Sequence, residues 1–316
     1  MESAIALGER GRGRTAPNPH VGCVIVRDGE PVGRGWTQPG GRPHAEAVAL
    51  EQAGPATRGA DVYVTLEPCA HDSARGPPCA SLLAGAGPAR VVIALADPDP
   101  RTDGRGAAAL RAAGIEVETG VGAEAAARSL AGFLARTRLG RPRVTLKLAM
   151  SIDGRIALAS GESRWITGED ARAHAHLERA RADMILVGRG TFDADGPRLD
   201  VRLPGLEDRS PRRVLLTRGA APDGWERLGA PDEIHGLDGV NDLLVEGGAG
   251  AAAAFLAADL VDRLLVYRAP LLIGAGRESV GDIGLDRLAD AHGRWRLVEE
   301  RRLGIDRLEV YERGRE

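Results

Sequence analysis

The stretch LEPCAHDSARGPPC, residues 66–79, holds two of the three cysteines of the chain, and HAE lies upstream at residues 44–46. One imidazole and two thiolates form a three-ligand set for zinc and leave the fourth tetrahedral position open for water. Glu46, two residues after His44, is placed to accept a proton from that water and to return it. The pattern predicts a zinc deaminase in which His44, Cys69 and Cys79 bind the metal and Glu46 is catalytic.

A purely structural interpretation exists for each of these residues. His44 could cap a helix, Cys69 could end a strand, and Cys79 could be a small buried residue. The combination favours the metal site, because H-A-E, E-P-C and P-P-C each stand at a predicted helix start, although nine residues separate Cys69 from Cys79 where the zinc-deaminase signature has two. Cys23, inside the apolar run VGCVIV, is predicted to be a core residue.

Composition limits the class of protein. The chain has 316 residues, which favours two domains, and 43% hydrophobic with 28% charged residues is typical of globular proteins. The net charge of −3 provides no basic surface for nucleic acid. No apolar run approaches the ~20 residues of a membrane span, and no secretory signal is apparent. We therefore expect a cytoplasmic enzyme with a small-molecule substrate and no nucleic-acid or membrane partner; homo-oligomerisation stays open.

Short apolar runs alternate with alanine-rich segments in both halves, which predicts α/β sheets covered by helices. The predicted strands are 21–26, 61–66, 89–95, 115–118, 143–152, 182–188, 212–217, 242–248 and 262–274. The predicted helices are 42–54, 79–87, 104–114, 123–138, 169–182 and 249–260. A proline follows the break in helical pattern at 138–143 and suggests domains 1–141 and 142–316.

Two features of the second half suggest ligand binding. Gly248, Gly250 and Ala253 match the dinucleotide pattern G-x-G-x-x-A, although glycine and alanine are common here and the motif comes late in the domain. Lys147 is the single lysine among 42 basic residues. An ammonium and a guanidinium are not interchangeable in a tight site, so Lys147 is a candidate contact to the substrate.

The motifs of the first half are similar to those of a known family. PNPHVGCVIV, PHAEAVAL, VTLEPCAH, GPPC and ADPDP with GRG resemble the deaminase half of the bifunctional riboflavin-biosynthesis deaminase–reductases. The resemblance implies a cytidine-deaminase-like α/β/α sandwich that deaminates a ribosylaminopyrimidinone phosphate. It also implies that Asn18 and His71 contact the substrate, although Asn18 between two prolines could equally be a turn residue.

The second half resembles the reductase half of the same family through LKLAMSIDGRIA, SGESRWITG, LERARADMILVGRGTFDADGPRLDVR and VEGG. This implies a dihydrofolate-reductase-like α/β domain that uses NADPH to reduce the ribose to a ribityl chain. The implied substrate contacts are Ser163, Arg179, Leu199, Arg202 and Glu246, to which we add Lys147 and Asp153. The implied cofactor contacts are Met150, Trp165, Thr191, Asp195, Gly248, Ala249, Gly250, Ala251, Ala252, Ala253 and Ala254.

The chain departs from the family pattern at two places. The loop between Cys69 and Cys79 is one residue longer and lacks the usual threonine, and Arg75 stands for the family's basic residue. Gly196 follows Asp195 where the family has Asp or Asn. Arg218 is a candidate for the extra phosphate of NADPH.

Two other functions would also place a deaminase motif in a two-domain chain. One is a nucleic-acid deaminase whose second half binds the polymer, which 3% aromatic content and the negative charge disfavour. The other is a protein with one inactive half retained as a scaffold.

Overall fold

A computed structural model describes residues 1–315 and divides the chain into two compact units, one from Met1 to Gly140 and one from Arg141 onward. The sequence-based boundary falls one residue later. None of the helices within residues 1–315 is long and apolar enough to cross a membrane.

The first unit alternates helices and strands along its length. Its helices are α1 (Glu2–Gly8), α2 (Ala45–Ala53), α3 (Cys79–Ala86), α4 (Arg105–Ala112), α5 (Ala123–Ser129) and α6 (Ala131–Leu139). Its strands are β1 (Gly22–Arg27), β2 (Glu30–Trp36), β3 (Asp61–Val64), β4 (Arg90–Ile93) and β5 (Glu116–Thr119).

These strands form one sheet in the order β2-β1-β3-β4-β5. β1 runs antiparallel to both β2 and β3, whereas β3, β4 and β5 are parallel. The buried side chains of β1, β3 and β4 are mostly valine and isoleucine, which suit a strand covered by helices.

Two glycines of β2 let α2 lie directly on the sheet. A Cβ on Gly33 would stand 2.3 Å from the carbonyl oxygen of Ala49, and one on Gly35 would stand 2.1 Å from that of Ala45. Only glycine allows this approach. The contact fixes the start of α2, where His44 and Glu46 lie.

The second unit contains helices α7 (Glu169–Ala180), α8 (Arg189–Asp195) and α9 (Ala249–Ala257). Its strands are β6 (Arg143–Ser151), β7 (Arg155–Ala157), β8 (Met184–Gly188), β9 (Arg212–Leu216), β10 (Glu226–Leu228), β11 (Asp242–Val245), β12 (Arg263–Ala269), β13 (Arg277–Glu278), β14 (Trp295–Leu303) and β15 (Asp306–Arg313).

The main sheet of this unit has the order β10-β9-β8-β11-β6-β12-β15-β14. The strands from β10 to β12 are parallel, and β15 and β14 continue the sheet as an antiparallel pair. β7 and β13 form a separate two-stranded ribbon. Because the central strands are parallel, the residues that follow β8, β11 and β6 meet at one edge, where ligands bind in open α/β sheets.

Several predicted elements have different limits in the structure. The helix predicted over 42–54 begins at Ala45, after Pro43, since proline disfavours a helical residue before it. The helix predicted over 123–138 is two helices that meet at Leu130. The strand predicted over 262–274 ends at Ala269, where Pro270 cannot donate to the ladder.

Candidate active sites

The three predicted zinc ligands come together in the first unit. His44 is the residue before α2, Cys69 lies in the loop after β3, and Cys79 is the first residue of α3. Their ligand atoms all lie within 4.8 Å of one another. The Nδ1 atom of His44 stands 3.6 Å from the sulfur of Cys69 and 3.3 Å from that of Cys79. Three side chains from separate segments therefore share one small volume, as a metal site requires.

The electrostatics of the two thiols fit a cation. Contact with Cys79 lowers the pKa of the Cys69 thiol to about 4, and the neighbouring Cys69 sulfur raises the pKa of Cys79 well above its usual value. Two sulfurs this close hold one negative charge between them unless a cation is bound. A soft donor set of two thiolates and an imidazole suits zinc.

Asn18, predicted to contact the substrate, lies against the ring of His44. Its amide nitrogen stands 3.4 Å from Nε2 of His44 and donates to the carbonyl oxygen of Gly41 at 3.0 Å. The amide thus holds the imidazole so that Nδ1 faces the two sulfurs. Partners of this kind commonly orient a metal-binding histidine. Substrate contact by Asn18 stays a prediction.

Glu46 lies in the first turn of α2, beside the ligands, and only 3% of it is exposed. Burial raises the pKa of its carboxyl group, the charge of Cys69 adds to that, and His44 opposes it. A raised pKa suits a carboxylate that must accept a proton and then release it.

Glu67, which the sequence analysis did not select, anchors the loop that carries Cys69. Its buried carboxylate accepts hydrogen bonds from the backbone N–H groups of Asp97 (3.3 Å), Gly104 (3.0 Å) and Ala107 (2.9 Å). The last two donors lie at the start of α4, where a carboxylate satisfies unpaired N–H groups. Gly106 allows the approach, because a Cβ there would stand 2.1 Å from the carbonyl oxygen of Pro68.

We expect Glu67→Gln to weaken zinc binding about tenfold, since an amide has one acceptor oxygen where the carboxylate serves three donors from two segments. Chelator competition on the full chain measures the dissociation constant. Glu116→Gln, an exposed change on β5, is the control and is expected to leave zinc affinity unchanged. Equal zinc affinity in Glu67→Gln and wild type would show that the loop does not depend on this anchor.

The long loop between the cysteines closes against the loop before α2. Arg75 donates to the carbonyl oxygen of Gly40 at 2.9 Å, and Arg42 donates to the carbonyl oxygen of Arg75 at 3.4 Å. His71, predicted to contact the substrate, stands 3.5 Å from the hydroxyl of Thr102. Nearby, burial raises the pKa of Asp97 to about 6. The loop thus places cationic and polar groups around the metal ligands.

The second unit contains a cleft of about 1210 Å³ at the carboxyl edge of its parallel strands. Its lining includes most of the residues predicted for the reductase half. They are Lys147, Ser163, Trp165, Arg179, Thr191, Asp195, Leu199, Arg202, Glu246, Gly248, Ala249, Gly250 and Ala251. The volume is sufficient for a dinucleotide and a second small molecule.

A buried charge cluster lies in this cleft. Glu246 accepts two hydrogen bonds from Arg179, at 2.7 and 2.8 Å, and its carboxylate stands 3.6 Å from Nζ of Lys147. Burial alone would raise the pKa of Glu246, but the charges of Lys147 and Arg179 lower it to about 2. The carboxylate is therefore ionised at neutral pH and holds both cations in place.

A glycine turn forms the wall beside this cluster. The backbone N–H of Gly248 donates to the hydroxyl of Thr191 at 2.9 Å, and α9 begins one residue later. A Cβ on Gly250 would meet open space, whereas one on Gly247 would collide with the side chain of Ala251. A glycine turn that leads into a helix can accommodate a pyrophosphate on backbone N–H groups, so the residues present fit a nicotinamide dinucleotide.

Some predicted residues lie elsewhere in the second unit. Met150 is buried in β6 and does not line the cleft. Asp153 accepts hydrogen bonds from the hydroxyl of Ser151 and from the N–H of Gly274, which indicates a role in the turn after β6. Ala252, Ala253 and Ala254 belong to the body of α9 and are also outside the lining.

His176 lines the cleft although the sequence analysis did not select it. Its Nδ1 accepts the backbone N–H of Arg202 at 3.3 Å, and burial and the charge of Arg179 lower its pKa. The sequence could have indicated His176, because it precedes Arg179 by three residues and therefore lies on the same face of α7.

Two family profiles match the chain. The profile described as the cytidine and deoxycytidylate deaminase zinc-binding region matches residues 1–95, and that of the RibD C-terminal domain matches residues 142–224 and 233–307. Together they agree with the predicted two-domain α/β architecture, a cytidine-deaminase-like unit followed by a reductase unit.

Whole-length relatives carry both halves in the same order. The riboflavin biosynthesis protein RibD of Escherichia coli (strain K12) is 39% identical, with 97% of this chain and 96% of that protein covered. Acinetobacter baumannii RibD, form 1, has a TM-score of 0.90 at 36% identity, covering 99% and 98% of the two chains. A diaminohydroxyphosphoribosylaminopyrimidine deaminase/5-amino-6-(5-phosphoribosylamino)uracil reductase from Thermotoga maritima has a TM-score of 0.87 at 30% identity, covering 99% and 97%.

Proposed function

The chain belongs to the RibD family of riboflavin biosynthesis proteins and is a bifunctional deaminase and reductase, and from that premise we propose the substrate, cofactors and residues of each step. The first unit hydrolytically deaminates 2,5-diamino-6-ribosylamino-4-pyrimidinone 5′-phosphate with one zinc ion. The second unit then reduces the ribose of the product to a ribityl chain with NADPH. Membership of this family argues against a nucleic-acid deaminase.

The observation that carries the first step is the convergence of His44, Cys69 and Cys79 beside Glu46. These three residues would hold zinc, which when bound activates a water molecule. Glu46 takes a proton from this water molecule. The water oxygen attacks the pyrimidine carbon that bears the amino group. The same carboxyl group then gives the proton to the departing ammonia.

The second step is supported by the charge cluster next to the glycine turn. The turn from Gly248 into α9 would hold the pyrophosphate of NADPH, which supplies the hydride. The open-chain form of the ribosylamine is an imine, whose carbon accepts the hydride and whose nitrogen takes a proton. Lys147, held by Glu246, contacts the reacting sugar, and the exposed guanidinium of Arg202 suits the substrate phosphate.

Mass spectrometry of one incubation tests both steps. Zinc-loaded protein receives the diamino substrate, first without and then with NADPH. We expect an amino group to be exchanged for oxygen in both cases, and two hydrogens to be gained only with NADPH. Deamination without reduction would contradict the proposed second step, and an unchanged substrate would contradict the first.

A further inference from the structure

Residues 196–202 form part of the wall of the reductase cleft without belonging to a helix or a strand. Leu199 is buried in this segment and has a φ of 55°, in the left-handed region that leucine rarely adopts. Arg202 ends the segment, and about half of its side chain is exposed. The backbone here decides where two predicted substrate contacts point, and contacts from outside the segment must hold it in this conformation.

Two side chains of α7 hold the backbone of this segment. Arg179 donates to the carbonyl oxygen of Asp200 at 3.0 Å. The N–H of Arg202 donates to Nδ1 of His176 at 3.3 Å. His176 and Arg179 are three residues apart and so lie on the same face of the helix. Arg179 is already fixed by the carboxylate of Glu246, which leaves His176 as the α7 side chain that contacts the backbone of Arg202 itself.

The contact to Arg202 requires a neutral imidazole. Nδ1 accepts a hydrogen bond only when the ring proton is on Nε2, whereas an imidazolium carries a proton on both nitrogens and has no acceptor. Burial lowers the pKa of His176, and the charges of Arg179 and Arg202 lower it further, while Glu246 and the backbone of Asp200 oppose them. The ring is therefore neutral at neutral pH, and the contact is present there.

We propose that His176 is a positioning residue for the reduction: by accepting the N–H of Arg202, its neutral ring aims that arginine at the 5′-phosphate of the substrate. A bidentate contact between guanidinium and phosphate depends on orientation, so it depends on the backbone from which the arginine extends. His176 acts through Arg202 and not on the reacting sugar, so its loss weakens substrate binding and leaves the hydride step unchanged. This inference rests on the proposed contact between Arg202 and the substrate phosphate.

Steady-state kinetics of the reduction, with the purified deaminated substrate and the full chain, tests the proposal. His176→Leu has no acceptor and is expected to raise the KM for this substrate about tenfold, with kcat and the KM for NADPH within about twofold of wild type. His176→Asn is close to leucine in size, carries an amide oxygen near the position of Nδ1, and is expected to restore the wild-type KM. His235→Leu, an exposed change outside the cleft lining, is the control and is expected to match wild type.

The pH dependence separates positioning from packing. As the pH falls from about 7.5 to about 5.5, the ring of His176 gains a proton and loses the contact, whereas His176→Asn does not titrate. The substrate phosphate titrates alike with both proteins, so the ratio of their KM values isolates the histidine. Because the pKa of His176 is lowered, the ratio of wild type to His176→Asn should be near one at about pH 7.5 and rise only in acid. A ratio that stays constant would overturn the proposal.

A double variant shows whether His176 acts through Arg202. Arg202→Gln is expected to raise the substrate KM, and adding His176→Leu to it should raise the KM no further. Additive effects would overturn the proposal, as would a wild-type KM in His176→Leu alone. A wild-type KM in Arg202→Gln would overturn the proposed phosphate contact together with this inference, and wild-type protein that reduced no substrate would contradict the proposed second step itself.

Discussion

Glu46→Gln is expected to lower the rate of deamination about a thousandfold and to leave zinc content and NADPH-dependent reduction unchanged. Glu46 is buried beside the ligands but is not one of the three residues that converge on the metal position. Glutamine preserves its size and removes its capacity to accept a proton from water. Ammonia release at substrate saturation measures the effect, and atomic absorption measures the zinc.

A change on the same helix provides the control for this prediction. Glu51 lies on the exposed side of α2, so Glu51→Gln alters the charge of the helix without reaching the site. Its deamination rate should match that of wild type. If Glu46→Gln retained a tenth or more of the wild-type rate with full zinc content, Glu46 would not be the proton carrier.

Glu246→Gln is expected to destabilise the reductase unit by about 3 kcal/mol and to lower the reduction rate at least a hundredfold. Glu246 is 7% exposed and is the shared partner of Arg179 and Lys147, so the variant leaves two partly buried cations without this counter-charge. Urea unfolding followed by tryptophan fluorescence reports mainly on this unit, because Trp165, Trp225 and Trp295 belong to it.

The exposed pair of Glu226 and Arg212 offers a control with the same geometry. Its two hydrogen bonds are both 2.8 Å long, but both side chains are nearly half exposed. Glu226→Gln should therefore change the free energy of unfolding by less than about 1 kcal/mol. A loss as large as that of Glu246→Gln would show that burial does not decide the effect.

The pH dependence of the difference between wild type and Glu246→Gln follows from the depressed pKa. The pKa of Glu246 is about 2 in the folded chain and near its ordinary value of 4.5 in the unfolded chain. The carboxylate therefore stabilises the fold fully above about pH 4.5, and the contribution declines as the pH falls towards 2. The measured difference should be constant from about pH 8 to pH 5 and shrink below that range. A difference that grew on acidification would contradict the assigned charge state.

Many elements of the fold were predictable because their patterns are local. Apolar runs such as VGCVIV and MILVG predicted β1 and β8. Glycines predicted where helices such as α2 and α3 end. β2 was missed because glycines replace the apolar side chains on its inner face. The hairpin of β14 and β15 was missed because β14 is an edge strand rich in charged residues, without a clear alternation.

By itself, the sequence predicted the candidate zinc ligands, and the structure brings those three residues together. His44, Cys69, Cys79 and Glu46 stand in short motifs, and the chain has only three cysteines and seven histidines. A metal-binding motif of this kind can be recognised from the sequence, because zinc binds few types of side chain and its ligands occur at few spacings.

Only the tertiary structure showed which of the many charged residues form buried contacts. The family motif pointed to Arg179 among 42 basic residues, but it did not show that Arg179 pairs with a buried carboxylate 67 positions away, whereas Arg212 forms its ion pair on the surface. No motif pointed to Glu67, whose hydrogen-bond partners belong to other segments. The strength of a charge depends on the water around it, and burial is set by how distant segments pack.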